Sequence, residues 1–242
     1  MKRGQIALFM IIALVLAFGI ILLYSQREKL GWGLAGTNSE IRPMEAHVID
    51  CLEKTSMNGV EILGLQGGYI DLPAQSFDAN GSKIAYAYQS RKMLFPSHES
   101  IEKQIESYVE KEIPNCVQWE KWPDFRISEG KPNALALMED ESMILNLVWP
   151  ITIEKGNSRY LISKFDKTVN VSAGRMYKAA YGIVNRTYSD PGTVDISYLI
   201  SLGDEGIRGD IYPYNSTLVY SLEDNRSMVN GKPYVFLIAV KL

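Results

Sequence analysis

Residues 143–153, MILNLVWPITI, carry a large apolar side chain at every second position. Successive side chains of a strand point to opposite faces of a sheet, so this alternation predicts a strand with one buried face. Residues 134–138 are expected to pair with this strand across a turn at residues 139–141. Further strands of the same meander are expected at 160–165 and 168–171. The middle of the chain is therefore predicted to form a largely antiparallel sheet.

The C-terminal part is predicted to add one helix and three strands. The apolar face of the helix is formed by Met176, Ala179, Ala180 and Ile183. Asp190-Pro191-Gly192 is expected to end this helix. The three strands are expected at 194–200, 217–222 and 234–240. The last of them, YVFLIAV, is apolar on both faces, which is typical of a central strand.

Two helices are predicted to precede the sheet. The first begins after the cap residue Ser39, and the second begins after Ser97 and is closed by Pro114. Four polar residues of the second helix are expected to face water, namely Glu102, Lys103, Glu106 and Glu110. The fold class is therefore α+β, with a helical part over residues 40–118 and a β-rich part over residues 119–242.

The N-terminus carries an apolar segment behind a short basic leader, residues 1–4. Residues 6–24 contain no charged side chain, and as a helix they would be about 28 Å long, close to the thickness of the bilayer core. A transmembrane helix is therefore predicted over residues 5–30, with the basic end in the cytoplasm and the C-terminal domain outside the cell. The glycine-rich residues 31–39 are expected to form a flexible linker to this ectodomain.

The leader also carries a more specific signal. Lys2-Arg3-Gly4-Gln5-Ile6 resembles the class III, prepilin-type signal peptide of archaeal type IV pilins and archaellins. In that family a dedicated peptidase cuts after the glycine, on the cytoplasmic side, and the apolar helix stays on the mature protein. The resemblance therefore implies cleavage between Gly4 and Gln5. A plain single-pass anchor, N-terminus inside, is the alternative interpretation.

Three further features of the chain can be compared with pilins: a glycine-rich segment, the fifth mature residue and the expected layout of the head. Residues 63–70, LGLQGGYI, resemble a segment of large pilin-like surface proteins of small-genome archaea. Phe9 stands at the fifth mature position, where bacterial pilins carry a glutamate. A helix followed by a β-rich head is the general layout of type IV pilins. The head expected here is larger and more mixed than that of most archaeal members.

Cysteines and glycosylation motifs fit a domain outside the cell. The two cysteines, Cys51 and Cys116, are compatible with one disulfide, and two buried free thiols are the alternative. Five Asn-x-Ser/Thr sequons without proline lie beyond the apolar segment, at Asn80, Asn170, Asn185, Asn215 and Asn225. This is more than chance would supply and indicates a glycosylated surface protein. Each acceptor is expected to be exposed.

Several function classes find no support in the sequence. The net charge is −3, or −5 without Lys2 and Arg3, and no basic cluster indicates nucleic-acid binding. His47 and His98 are the two histidines, and neither belongs to a metal-binding motif. No Gly-x-Ser-x-Gly motif indicates a hydrolase. The acidic residues 139–141 could bind calcium weakly, but a solvated hairpin turn is the favoured interpretation. We expect no enzyme, no cofactor and no metal site.

The resemblance of the leader to prepilin-type signal peptides therefore implies a pilin-like structural subunit of an archaeal surface filament. Its copies would assemble through the N-terminal apolar helix, and the glycosylated head would lie on the outside. The expected partners are the membrane, a prepilin-type peptidase, further copies of the same chain and possible cell-surface partners. A single-pass anchored adhesion domain that does not polymerise is the alternative function.

Overall fold

The computed structural model describes residues 39–242. The following predicted features lie outside the described residues: the leader at 1–4 with the cleavage position Gly4–Gln5, the apolar helix at 5–30, and residues 31–38 of the linker.

Contacts divide the chain into two units, Met1–Met44 and Glu45–Leu242. The elements described below belong to the second unit, except for the start of the first helix. Among the described helices, none combines the length and the apolar character that crossing a membrane requires.

The described residues form an α+β fold with mostly antiparallel strand pairing, as predicted. The helices are α1 (Arg42–Leu65), α2 (His98–Val117), α3 (Ala173–Ser189) and α4 (Ile196–Asp204). The strands are β1 (Ser76–Ala79), β2 (Ser82–Gln89), β3 (Lys92–Met93), β4 (Arg126–Glu129), β5 (Asn133–Met138), β6 (Ser142–Lys155), β7 (Ser158–Asn170), β8 (Ile207–Tyr214), β9 (Thr217–Val229) and β10 (Lys232–Lys241).

The first sheet has the strand order β1-β2-β10-β9-β8, and β3 pairs with the C-terminal end of β2. β10 lies between β2 and β9, parallel to the first and antiparallel to the second. The prediction of a central C-terminal strand is therefore confirmed. Phe236 and Ile238 on one face of β10 are at most 1% exposed. On the other face Ala239 is fully buried and Leu237 is half-buried, so both faces are covered, which explains why the strand is apolar throughout.

The second sheet is built around β6. β7 pairs with one edge of β6, and β5 and β4 pair with successive parts of the other edge. The predicted alternation is confirmed, because its six large apolar residues are at most 1% exposed: Met143, Leu145, Leu147, Trp149, Ile151 and Ile153. The β6–β7 register shifts between Val148 and Ile151, around Pro150, which cannot donate a ladder hydrogen bond.

Helices α1 and α2 are close together, and both contact the second sheet. A Cβ atom on Gly59 of α1 would lie 2.9 Å from the ring of Tyr108 on α2, so the small glycine permits the close approach. Lys167 of β7 lies opposite Leu145 of β6, and its Nζ contacts Glu53 of α1 at 2.6 Å.

Helix α2 continues through Pro114, so the prediction that this proline closes the helix is wrong. Ser97 caps the N-terminus as predicted, its Oγ accepting the Ser100 amide hydrogen at 3.2 Å. At the other end Val117 is fully buried, and its carbonyl lies 2.9 Å from His47 Nε2 of α1. These contacts, with the disulfide at Cys116, stabilise the last turn although proline supplies no amide hydrogen.

Residues 194–200 form no strand, in contrast to the prediction. Helix α4 begins at Ile196 because Asp195 caps it, with Oδ1 accepting the Tyr198 amide hydrogen at 3.0 Å. The β-branched residues of this segment favoured the strand prediction, and the cap outweighs them. The C-terminal part therefore contains two helices instead of one, and β8, which the sequence did not indicate, follows α4.

Candidate functional site

The predicted disulfide is present. Cys51 of α1 is bonded to Cys116 of α2, with Cα atoms 5.7 Å apart. Cys51 lies on the buried stripe of α1 and is 1% exposed. The bond links two helices that are 65 residues apart in sequence at these positions.

Three glutamates of α2 bind the edge of β5. Glu102, Glu106 and Glu110 accept the amide hydrogens of Met138, Ala136 and Ala134, at 2.9, 3.0 and 3.0 Å. Four helical residues advance about 6 Å and two strand residues about 6.8 Å, so the two spacings nearly match. The expectation that these glutamates face water is wrong, since they are half-buried. A sheet edge that could recruit another strand is therefore covered.

A buried ion pair joins α3 to the first sheet. The guanidinium of Arg175 in α3 contacts the carboxylate of Asp224 in β9, whose side chain is fully buried. Burial alone would raise the pKa of Asp224. The neighbouring Ser172 hydroxyl, the Arg226 amide and the positive charge of Arg175 outweigh burial and hold this pKa below its ordinary value. Asp224 is therefore ionised at neutral pH, and no local sequence motif indicated this pair.

The acidic turn between β5 and β6 lies against the start of α3. The carbonyls of Glu139 and Asp140 accept the amide hydrogens of Gly174 and Arg175, both at 3.2 Å. A Cβ atom on Gly174 would lie 2.5 Å from the Glu139 carbonyl oxygen, so only glycine fits there. The turn's side chains also form ion pairs, Glu141 with Arg175 at 2.9 Å and Asp140 with Lys178 at 2.6 Å. The turn thus connects the second sheet to α3.

One face of the second sheet carries exposed aliphatic side chains. We call it the outer face, and its most exposed aliphatic residues are Leu135 (60%), Leu137 (51%), Val148 (45%) and Leu161 (65%). Leu135 lies opposite Asn146 in the β5–β6 register, and Asn146 donates to Asp166 of β7 at 2.8 Å. The outer face is therefore mixed, with aliphatic side chains around a polar pair. Such a face is a candidate surface for contact with another macromolecule.

The five sequon asparagines lie on different elements. Asn80 is in the β1–β2 turn, Asn170 ends β7, Asn185 is in α3, Asn215 is in the β8–β9 turn and Asn225 is in β9. All five acceptor residues are exposed, as expected.

The two histidines take part in structural contacts. His47 packs edge-on against the ring of Trp122, with centroids 5.0 Å apart. His98 contacts Glu102 at 3.4 Å and packs against Tyr177. Within residues 39–242, no group of three or more histidine, cysteine or acidic side chains is placed to hold a metal ion.

Comparisons with known proteins give no relative: no protein family, curated protein or solved structure matches this chain.

Proposed function

We propose that this chain is a pilin-like structural subunit of an archaeal surface filament. The observation that carries the proposal is the N-terminal sequence, in which Lys2-Arg3-Gly4-Gln5 precedes 19 residues without a charge, residues 6–24. A prepilin-type peptidase would cut between Gly4 and Gln5, and the apolar helix would remain on the mature chain.

Assembly would then follow from the physical chemistry of this helix. In the membrane, lipid covers its apolar side chains, while its backbone groups are satisfied within the helix. In a filament, the helices of neighbouring copies would cover the same side chains, so that no apolar surface is exposed to water. The head would lie outside the cell, where a disulfide is stable and sequons can be glycosylated.

The described head has features that suit this role. The disulfide and the ion pair between Arg175 and Asp224 support a stable extracellular domain. The covered edge of β5 disfavours uncontrolled strand pairing between crowded heads. The outer face offers a surface through which neighbouring heads would contact each other.

The test is the N-terminus of the mature protein. Filaments sheared from cells should consist of chains that begin at Gln5. The variant Gly4→Leu should retain the leader and abolish filaments, whereas the matched variant Gly31→Leu, beyond the apolar segment, should be cleaved and assembled normally. Filaments built from chains that begin at Met1 would contradict the proposal.

A second candidate function is a single-pass adhesion domain that does not polymerise. The exposed aliphatic residues of the outer face support this alternative as well as the first, because they equally suit a partner on another cell. Crosslinking of intact cells through cysteines introduced at residues 6–24 separates the two functions. A ladder of oligomers supports the filament subunit, and a monomer supports the anchored domain.

A further inference from the structure

The five sequons differ sharply at their third position. The enzyme that glycosylates asparagine recognises the hydroxyl of the third residue as well as the acceptor itself. Four of the five hydroxyl residues are buried in the folded domain, namely Ser172 (1%), Thr187 (3%), Thr217 (3%) and Ser227 (7%). The fifth, Ser82, is exposed. Exposure of the asparagine is therefore not sufficient for the enzyme to recognise these four sequons in the folded domain.

Hydrogen bonds within the fold engage the buried hydroxyl groups of two of these residues. Ser227 Oγ accepts the amide hydrogen of Ser172 at 2.9 Å. The third residues of two sequons are therefore bonded to each other in the buried interior. Thr187 Oγ1 donates to the Ile183 carbonyl in α3 at 3.1 Å. An enzyme could reach these hydroxyls only if the contacts were broken.

The elements that carry these sequons are also part of the core framework. Thr217 and Asn225 belong to β9, which pairs with β10 on one side and β8 on the other. Asn185 lies inside α3, whose last turn ends at Ser189. To present either segment in an extended form, the protein would have to unfold a central strand or a helix.

The sequon at Asn80 differs from the other four in its third residue, Ser82, which is exposed. Asn215 also lies in a hairpin turn and has a positive φ angle, but the third residue of its sequon, Thr217, is only 3% exposed. Asn80 and Gly81 form a two-residue turn between Ala79 and Ser82, with positive φ angles of 56° and 95°. Asp78 Oδ1 accepts the Gly81 amide hydrogen at 2.7 Å and fixes the turn. Ser82 pairs with Ala79 of the edge strand β1, and the β2–β10 register lies further along β2, at Tyr86 and Tyr88. Thr217, by contrast, pairs with Tyr214 of β8 and with Lys241 of β10.

We propose that the folded head presents a single acceptor site, Asn80, and that the other four sequons can be modified only before the head folds. The donor would be a polyprenyl-phosphate-linked oligosaccharide. The bond between the anomeric carbon and the phosphate oxygen breaks, a bond from this carbon to Asn80 Nδ2 forms, and the leaving phosphate carries away the electron pair while Nδ2 loses a proton. This inference rests on the proposed function only in placing the head outside the cell.

The test uses the full chain in detergent micelles, made in a host without protein glycosylation. Two samples are compared: the oxidised, folded chain and the reduced, urea-unfolded chain. Each is diluted into assay buffer immediately before use and incubated with a purified single-subunit oligosaccharyltransferase and its lipid-linked donor. Peptide mapping by mass spectrometry then gives the occupancy of each sequon. In the folded chain the initial rate at Asn80 should exceed that at each other sequon by at least about tenfold.

Matched variants make the result specific. Asn80→Gln should abolish modification of the folded chain but leave other sequons of the unfolded chain reactive, whereas Asn225→Gln should leave the folded chain unchanged. Comparable rates at Asn80 and at any other sequon of the folded chain would overturn the inference. So would a folded chain that is not modified at Asn80, whether or not the unfolded chain is. Because this assay uses purified protein, its failure leaves the proposed cleavage at Gly4 to be judged on its own.

Discussion

The disulfide between Cys51 and Cys116 and the ion pair between Arg175 and Asp224 link different parts of the same compact unit. The disulfide joins α1 to α2, beside the second sheet, whereas the ion pair joins α3 to β9 of the first sheet. Both connect segments that are far apart in sequence. They differ in what they respond to, because the disulfide is broken by reductants and the ion pair by protons.

The two links also act on different states of the chain. A disulfide stabilises mainly by restricting the unfolded chain, in which it closes a loop. A buried ion pair acts within the folded state, where each charge compensates for the desolvation of the other. This domain therefore combines a constraint on the unfolded chain with an electrostatic requirement on the folded one. Each can be tested by removing it alone.

The largest effect is expected from removal of the disulfide. The double variant Cys51→Ser/Cys116→Ser should lower the free energy of unfolding by about 4 kcal/mol, as chain entropy gives for a loop of this length. Urea unfolding followed by circular dichroism measures the change. The control is dithiothreitol, which should destabilise the wild type and leave the double variant unaffected. A wild type that is insensitive to the reductant would contradict the prediction.

Removal of the positive partner of the ion pair should have the next largest effect. Arg175→Met leaves the carboxylate of Asp224 buried without its main cation, which should cost about 3 kcal/mol of folding free energy. The matched variant Arg208→Met breaks an exposed pair with Asp210, and its urea midpoint should equal that of the wild type. Equal effects of the two variants would show that burial does not govern the strength of the pair.

The pH dependence of the unfolding free energy should distinguish the ion pair from the disulfide. The pKa of Asp224 is lower in the folded than in the unfolded state, so the carboxylate contributes stability above its unfolded pKa and loses it as pH falls through the folded pKa. The stability difference between the wild type and Asp224→Asn should therefore be constant near neutral pH and shrink below about pH 4. The effect of the Cys51→Ser/Cys116→Ser pair should not change over this range. Unfolding midpoints measured from pH 7 to pH 3 check both statements.

The features that the sequence predicted correctly are those with local or strictly periodic causes. The alternation in β6 shows its buried face directly, and Ser97 marks the start of α2 because its side chain caps the helix. In each case the cause lies within a few residues of the feature.

The missed features depend on contacts that sequence spacing does not reveal. Arg175 and Asp224 are in different elements, and nothing near either residue identifies the other. Helix α4 did carry a local signal, the cap Asp195, but the β-branched residues around it favoured a strand. The four buried sequon hydroxyls follow from strand and helix packing, so the motif alone could not distinguish them from Ser82.

The smallest effect is expected at the covered edge of β5, where neither the disulfide nor the ion pair between Arg175 and Asp224 makes a contact. Glu106→Ala removes the acceptor of the Ala136 amide hydrogen and should cost about 1 kcal/mol of folding free energy, because water can replace part of the lost bond. The matched variant Glu99→Ala, on the exposed side of α2, should leave the urea midpoint unchanged. Hydrogen exchange at Ala136 should become faster in the first variant alone, since its amide loses its partner. If Ala136 exchanges equally fast in both variants, the glutamates of α2 do not protect this edge of the sheet.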